Sequence, residues 1–196
     1  VITGLQAPTA GKIVLDGDDI TGKSPYRRAR LGIARTFQKL EAFTNLSARN
    51  NIRVAAEQRR GRDGVDPNQI TDELLERIGL TDVAEYMVGV LPTGTARLVE
   101  LARALATGPR VLLLDEPSSG LNEEETEEMA VILRDLVKDG LGVLLVEHDM
   151  KFVMSTCEFI YVLDFGQIIA AGAPAEVRAD PAVQAAYLGT HAEGAA

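Results

Sequence analysis

The amino-acid sequence predicts an α/β fold in which helices flank a mostly parallel sheet. Residues 111–114 are four consecutive aliphatic residues, a pattern typical of a strand buried on both faces of a parallel sheet. Residues 142–149 predict a second buried strand of the same kind, which ends in a histidine. Two amphipathic helix patterns complete the alternation, one formed by Ile70, Leu74, Leu75 and Ile78, the other by Met129, Leu133, Leu136 and Val137.

The composition is that of an ordinary globular domain. The chain has 196 residues, of which 46% are hydrophobic and 25% charged. Its formal net charge of −9 argues against binding nucleic acid through phosphate contacts, although arginines cluster at 27–30 and 59–62. Cys157 is the single cysteine, so no intramolecular disulfide can form, and a reducing compartment is indicated. No apolar run approaches the roughly 18 residues that a membrane span needs.

The beginning of the chain predicts short elements and contains no phosphate-binding loop. Residues 11–17 predict a strand that enters a tight turn at Asp16-Gly17, and Ser24-Pro25 predicts the start of a helix that ends near Leu31. The motif G-x-x-x-x-G-K-[ST] would require glycine at Gln6 and serine or threonine at Ile13, so Gly11-Lys12 is not a P-loop.

Two adjacent carboxylates, Asp115 and Glu116, follow the first buried strand, which Pro117 ends. Ligands of open α/β sheets bind at the carboxyl ends of strands. An Asp there can hold Mg²⁺, and an adjacent Glu can orient or deprotonate a nucleophile. An acidic pair in this position is also commonly structural, so the chemical interpretation depends on the residues that follow.

The continuation favours the chemical interpretation, because residues 112–122 resemble the Walker B motif and D-loop of ATP-binding-cassette (ABC) ATPases. Gln38, at the end of a predicted strand, resembles the family's Q-loop glutamine, and His148 its switch histidine. Residues 91–97 match the signature motif by position, as a glycine loop that feeds a helix start. Pro92 and Thr95 depart from that motif, since they replace its serine and glutamine.

The resemblance implies a P-loop NTPase-like (RecA-like) core without its first strand and P-loop. Residues 1–38 and 108–196 would form the α/β core, and residues 39–107 a helical subdomain with the signature helix. It also implies ATP and Mg²⁺ as cofactors: Asp115 and Gln38 would hold the metal, Glu116 would activate water, and His148 would sense the γ-phosphate. The other implied nucleotide contacts are Thr93, Gly94, Thr95, Ser119, Gly120 and Asn122.

Residues 16–22 and 182–189 most resemble the ATP-binding subunits of branched-chain amino acid importers. That resemblance implies a second ATPase subunit, identical or different, and transmembrane permease subunits that hold the protein at the inner face of the plasma membrane. We also expect an N-terminally truncated chain that binds ATP poorly by itself. Two alternatives stay open: an ATPase for another cassette system, such as urea or lipopolysaccharide transport, or a non-catalytic pseudo-ATPase that docks a partner.

The acidic stretch after Asn122 is interpreted as a helix start. Five glutamates lie within residues 123–128, where they complement the positive end of a helix dipole. We expect all five to form a solvated helix start.

Overall fold

The computed structural model describes residues 1–192, with side chains for residues 1–60 and 63–186. The chain divides into two compact units, and the boundary lies between Glu147 and His148. Each unit is described separately below.

The first unit alternates strands and helices. Its strands are β1 (Val14–Leu15), β2 (Asp18–Asp19), β3 (Ile33–Arg35), β4 (Val111–Asp115) and β5 (Gly142–Val146). Its α-helices are α1 (Pro25–Arg30), α2 (Ala48–Asp63), α3 (Pro67–Arg77), α4 (Thr93–Ala106) and α5 (Glu123–Lys138), with 3₁₀ turns at Thr81–Val83 and Val88–Val90. The predicted N-terminal turn at Asp16-Gly17 and the predicted helix after Ser24-Pro25 are both confirmed.

Strands β3, β4 and β5 form a parallel sheet in that order, which confirms the predicted fold class. Ile33 pairs with Val111, and Val111 pairs with Gly142. Because all three strands run in the same direction, the residues that follow their carboxyl ends meet at one edge of the sheet.

The prediction that β4 and β5 are buried on both faces is wrong. Leu112 and Leu114 are fully buried, and Leu114 lines a small internal void together with Leu101 of α4 and Met129 of α5. Residues alternate between the faces of a sheet, so the opposite face carries the neighbouring positions. There Leu144 and Val146 stay 43% and 57% exposed. Helices α4 and α5 therefore cover the Leu114 face, whereas the other face is packed less closely.

The helical segment between β3 and β4 follows the predicted pattern with shifted ends. Ser47 caps α2 by accepting a hydrogen bond from the Asn50 N–H, and Asp66 caps α3 in the same way with Asn68. Helix α2 continues to Asp63, so only residues 64–66 separate it from α3, and Gly64 adopts a positive φ of 69° there. The predicted stripe is largely confirmed, because Ile70, Leu75 and Ile78 are buried.

The predicted stripe of α5 is confirmed at Met129, Leu133 and Leu136, which are buried. Val137 was expected to join them, but it is exposed. It directly follows Leu136 and so lies about 100° further around the helix, beyond the buried stripe.

The second unit contains a hairpin and three helices: α6 (Met150–Thr156), β6 (Ile160–Asp164), β7 (Gln167–Gly172), α7 (Pro174–Ala179) and α8 (Pro181–Ala192). β6 and β7 are antiparallel and are joined by a short turn. Ile160, Val177 and Val183 form the core of this unit. Within residues 1–192, no helix combines the length and apolarity needed to cross a membrane.

Candidate active site

The acidic pair lies at the sheet edge, beside the end of β3. Asp115 is the last residue of β4, and the Glu116 N–H donates to the Val146 carbonyl at 2.9 Å. The Gln38 Nε2 amide donates to Glu116 Oε2 at 3.0 Å, although 78 residues separate the two in sequence. The structure thus brings together Gln38, Asp115 and Glu116, because β3 and β4 are neighbouring parallel strands with aligned ends.

Glu116 adopts a left-handed backbone conformation, with φ of 47°. For a residue with a Cβ this conformation is unfavourable and needs support from its surroundings. Such backbones cluster at functional sites, where the strain aims a side chain. Here the Glu116 carboxylate meets the Gln38 amide.

The predicted metal ligands form an incomplete but chemically suitable set. Mg²⁺ prefers oxygen ligands, and Asp115 offers a carboxylate. The side-chain amide nitrogen of Gln38 donates to Glu116, so the side-chain oxygen Oε1 of Gln38 is the atom left to face a metal. The Arg35 guanidinium lies 3.6 Å from Asp115 Oδ2 and stacks on the Phe37 ring. Among the described residues no group of three or more His, Cys, Asp or Glu could hold a metal. The side chains of Asp115 and Gln38 would therefore supply only part of the coordination.

The turn after the acidic pair is held by Glu147, which the sequence reasoning did not single out. The Ser118 N–H donates to Glu147 Oε1 at 3.0 Å, and the Ser118 hydroxyl donates to the same oxygen. The Ser119 N–H in turn donates to the Glu116 carbonyl at 3.1 Å. The only available signal was the position of Glu147 immediately before His148 at a strand end.

Residues 93–95 do not form the expected glycine loop, because they are the first turn of α4. Pro92 occupies the N-cap position and makes no side-chain capping bond. Proline lacks an N–H, and the N–H groups at a helix start have no intrahelical partner, so Pro92 is compatible with a helix that begins at Thr93. Gly94 is buried within this turn, Thr93 is exposed and Thr95 is half-buried.

The start of α4 lies against the start of α5. A Cβ placed on Gly120 would come 3.3 Å from the Thr93 Cγ2 methyl. A Cβ on Gly94 would overlap the Glu125 carboxylate. The structure therefore brings the segments of Thr93, Gly94 and Gly120 close together.

Asn122 and Glu125 form a capping box at the start of α5. Asn122 Oδ1 accepts from the Glu125 N–H, and Glu125 Oε2 accepts from the Asn122 N–H, both at 2.9 Å. The expectation that all five glutamates are merely solvated is wrong for Glu125, since its carboxylate caps the helix and touches Gly94. Asn122 thus already has a structural role, and Ser119 is exposed nearby.

Buried charged side chains of α4 hydrogen-bond to the backbone segment that carries Gln38. Arg97 and Glu100 are 8% and 5% exposed and form an ion pair at 3.1 Å. Arg97 also donates to the Phe37 carbonyl at 3.1 Å and to the Gln38 carbonyl at 2.6 Å. Buried charges persist only when they are paired and hydrogen-bonded, and here the partners are the backbone around Gln38.

Further bonds from α4 to this segment lie one turn further along the helix. Glu100 Oε1 accepts from the Glu41 N–H at 3.2 Å, and Arg103 donates to the Glu41 carbonyl at 2.6 Å and stacks on Phe43. Burial lowers the pKa of the Arg103 guanidinium, while Glu100 and Glu41 oppose that shift. The sequence signal was an Arg-x-x-Glu-x-x-Arg spacing within an otherwise apolar helix.

A half-open cavity of about 900 Å³ lies beside β3 and α4, away from the acidic pair. Its lining includes Arg28, Arg35 and Arg103, which already bond to carbonyl groups elsewhere in the structure. We therefore place the candidate site at the strand ends, where Gln38 and Glu116 converge, and not in the larger cavity.

His148 is the first residue of the second unit and is exposed. It follows Glu147 directly in the chain. Its predicted contact with a γ-phosphate stays a prediction.

Comparison with known proteins identifies the class. Residues 1–119 match the family described as ABC transporter, and residues 167–193 match the family described as branched-chain amino acid ATP-binding cassette transporter. The chain is 36% identical to the high-affinity branched-chain amino acid transport ATP-binding protein BraF of Pseudomonas aeruginosa, over 96% of this chain and 80% of that protein. It is 34% identical to the lipopolysaccharide export system ATP-binding protein LptB of Haemophilus influenzae, over 96% of this chain and 78% of that protein.

The fold comparison agrees. The ADP conformation of MJ1267, an ATP-binding cassette of an ABC transporter, superposes with a TM-score of 0.81 at 27% identity and covers 96% of this chain and 81% of that structure. The parallel sheet with flanking helices agrees with the P-loop NTPase-type α/β fold of these cassettes. The chain belongs to the ABC transporter family, among the ATP-binding cassettes whose general reaction is ATP hydrolysis, and it most resembles those of branched-chain amino acid importers.

Proposed function

We propose that this protein is the ATP-hydrolysing subunit of an ABC importer for branched-chain amino acids. The observation that carries the proposal is the hydrogen bond between Gln38 Nε2 and Glu116 Oε2 at the joined ends of β3 and β4. This bond joins the Gln38 amide, which would transmit the state of the site, to the Glu116 carboxylate, which would activate water.

Each residue at this edge has one task in the proposed reaction. Glu116 orients or deprotonates the attacking water, and its left-handed backbone aims the carboxylate toward Gln38. Asp115 and the Gln38 carbonyl would hold Mg²⁺, which when bound neutralises charge on the phosphates. The family resemblance assigns a separate task to His148, the contact with the γ-phosphate. Positioning and charge stabilisation are the main contributions that a protein makes to phosphoryl transfer.

A second ATPase subunit completes the site. Thr93, Ser119 and Gly120 are exposed, and the starts of α4 and α5 lie together there. We assign this surface, formed by Thr93, Gly94, Thr95, Ser119, Gly120 and Asn122, to the ATP held by the opposite subunit. Splitting a site across two chains links hydrolysis to their closure.

The permease docks beside the Gln38 segment. Phe43, Met87 and Val90 are exposed apolar side chains. They lie on two backbone segments that are joined by the hydrogen bond from the Gly89 N–H to the Thr44 carbonyl at 3.0 Å. Exposed apolar clusters of this kind mark protein interfaces. Docking there holds the protein at the inner face of the plasma membrane. A change at Gln38 would reach the permease through Arg103, which stacks on Phe43.

The transported substrate is supported by the relatives rather than by the site. The match at residues 167–193 and the likeness to BraF favour branched-chain amino acids. The likeness to LptB keeps a lipopolysaccharide system as the second candidate. Uptake of radiolabelled leucine by membrane vesicles that contain the assembled transporter separates the two, since only the importer accumulates leucine.

Residues 1–196 by themselves contain no P-loop motif. Backbone N–H groups of such a loop supply most of the grip on nucleotide phosphates. A polypeptide of these residues alone is therefore expected to bind ATP weakly and to hydrolyse it hardly at all. Tight, stoichiometric ATP binding by that polypeptide in calorimetry would contradict this expectation.

The test of the catalytic assignment is Glu116→Gln in the subunit expressed from its whole coding region and assembled with its permease. We expect turnover to fall by at least about a hundredfold, because the base is lost, while ATP-dependent association of the subunits persists. Phosphate release and size-exclusion chromatography measure the two effects. Glu124→Gln, an exposed carboxylate on α5, is the matched control. Unchanged turnover in Glu116→Gln would remove Glu116 from its role.

A further inference from the structure

We propose that Glu147 is a positioning residue for hydrolysis: its carboxylate anchors the turn after the acidic pair and thereby holds Glu116 in its working orientation. This inference rests on the proposed ATPase function, which it deepens by adding a residue that the sequence motifs do not include.

The first observation is a doubled contact. Glu147 Oε1 accepts from both the N–H and the hydroxyl of Ser118, 29 residues away in sequence. Both residues are half-buried, so the bonds are partly shielded from water. Hydrogen bonds to an ionised carboxylate are stronger than those between neutral groups, which makes this contact an effective anchor.

The second observation is the backbone of Glu116. Its φ of 47° is unfavourable for a side chain with a Cβ and persists only when neighbouring contacts enforce it. The Glu116 N–H is bonded to Val146, and two residues later Ser118 is bonded to Glu147. The end of β5 thus holds the turn at two points that flank the peptide after Glu116.

The Val146 and Glu147 contacts together restrict the backbone around Glu116 more than either contact would alone. Without Glu147, the turn keeps the Val146 contact and its internal Ser119–Glu116 bond, but the part after Glu116 is no longer tied to the end of β5. It can then rotate toward ordinary backbone angles, and the Glu116 carboxylate leaves the Gln38 amide. The second anchor removes that freedom. Loss of Glu147 should therefore lower the rate of the chemical step and leave nucleotide affinity unchanged, since the proposed role of Glu147 is to hold the Ser118 turn and not to contact ATP.

The variants separate geometry from charge. Glu147→Gln keeps a carbonyl oxygen that can accept both Ser118 bonds, whereas Glu147→Ala removes the acceptor. Ser118→Ala removes only the hydroxyl bond and keeps the N–H. Glu124→Ala, an exposed carboxylate on α5, serves as the control.

In the assembled transporter we expect Glu147→Ala to lower kcat by about tenfold or more with KM for ATP within about twofold of wild type. Glu147→Gln should retain at least about half of the activity, and Ser118→Ala should fall between the two. Hydrogen–deuterium exchange supplies a readout besides activity, since the peptide around Ser118 should exchange faster in Glu147→Ala than in Glu147→Gln.

Three results would overturn the inference: wild-type kcat in Glu147→Ala, equal losses in Glu147→Ala and Glu147→Gln, or a change in KM alone. If Glu147→Ala does not fold, Ser118→Ala and Glu147→Gln decide, because Ser118→Ala must then lower kcat more than Glu147→Gln does. Failure of the proposed function would appear separately, as unchanged turnover in Glu116→Gln.

Discussion

Helix α4 makes two polar contacts of opposite character. In its middle, Arg97 and Glu100 are buried and grip the backbone around Gln38. At its start, Thr93 and Gly94 meet Gly120 and Glu125 near the surface. Both contacts reach residues of the candidate site, yet one consists of desolvated charges and the other of small residues and a helix cap.

The difference separates a fixed part of the site from an adjustable part. A buried ion pair that loses one partner leaves an uncompensated charge, so the segment of Gln38 is tied firmly to α4. A capping contact near solvent contributes about 1 kcal/mol and can be exchanged for water or a ligand. This division suits a site in which the Gln38 segment moves together with α4, while the N-terminal ends of α4 and α5 close on the nucleotide.

The largest effect is expected from breaking the buried grip. Arg97→Met removes the bonds to two carbonyl groups and strands the Glu100 carboxylate, which should cost about 3–5 kcal/mol. Urea unfolding followed by circular dichroism measures it. Arg49→Met is the matched control, because Arg49 pairs with Asp72 and Glu85 at an exposed position and should cost about 1 kcal/mol or less. Equal losses in the two variants would erase the contrast.

A smaller effect is expected where the helix starts touch. In Gly94→Ala the new methyl displaces the Glu125 carboxylate from the Asn122 N–H, which should cost about 1–3 kcal/mol. The loss should vanish when Gly94→Ala is introduced into a Glu125→Ala background, where no carboxylate is in the way. A double-mutant cycle by thermal unfolding tests this coupling. Additive losses would show that Gly94 is needed for another reason.

The smallest effect is expected at the cap of α5. Asn122→Ala loses the hydrogen bond from the Glu125 N–H and should destabilise the protein by about 1 kcal/mol. Ser24→Ala is a natural control, since Ser24 precedes α1 without a side-chain capping bond and its removal should change little. Comparable losses in both variants, measured by urea unfolding without nucleotide, would contradict the assignment.

Motifs at strand ends were the reliable part of the sequence reasoning. Strands β3 and β4 pair in parallel, and this pairing brings Gln38 to Glu116. Residues 93–95 were misjudged because glycine suggested a loop, whereas Pro92 starts a helix there. The predicted core and helical segments, the roles of the site residues, and the placement of His148 stay predictions.

Arg97, Glu100 and Glu147 were missed for a common reason. Charged residues on a helix or at a strand end are usually solvated, so composition alone assigns them to the surface. Their importance comes from partners far along the chain: Phe37 and Gln38 for Arg97, and Ser118 for Glu147. Such partners are chosen by packing, which no local pattern encodes.

Local order along the chain determined where strands and helices begin and which polar residues stand at the strand ends. Aliphatic runs, caps and prolines act over a few residues, so the sequence carries that information directly. Tertiary structure alone decided how those ends are held: a buried arginine on the Gln38 backbone and a single carboxylate on the turn after Glu116. The physical reason is desolvation, because a charge commits to one partner only once folding has removed its water.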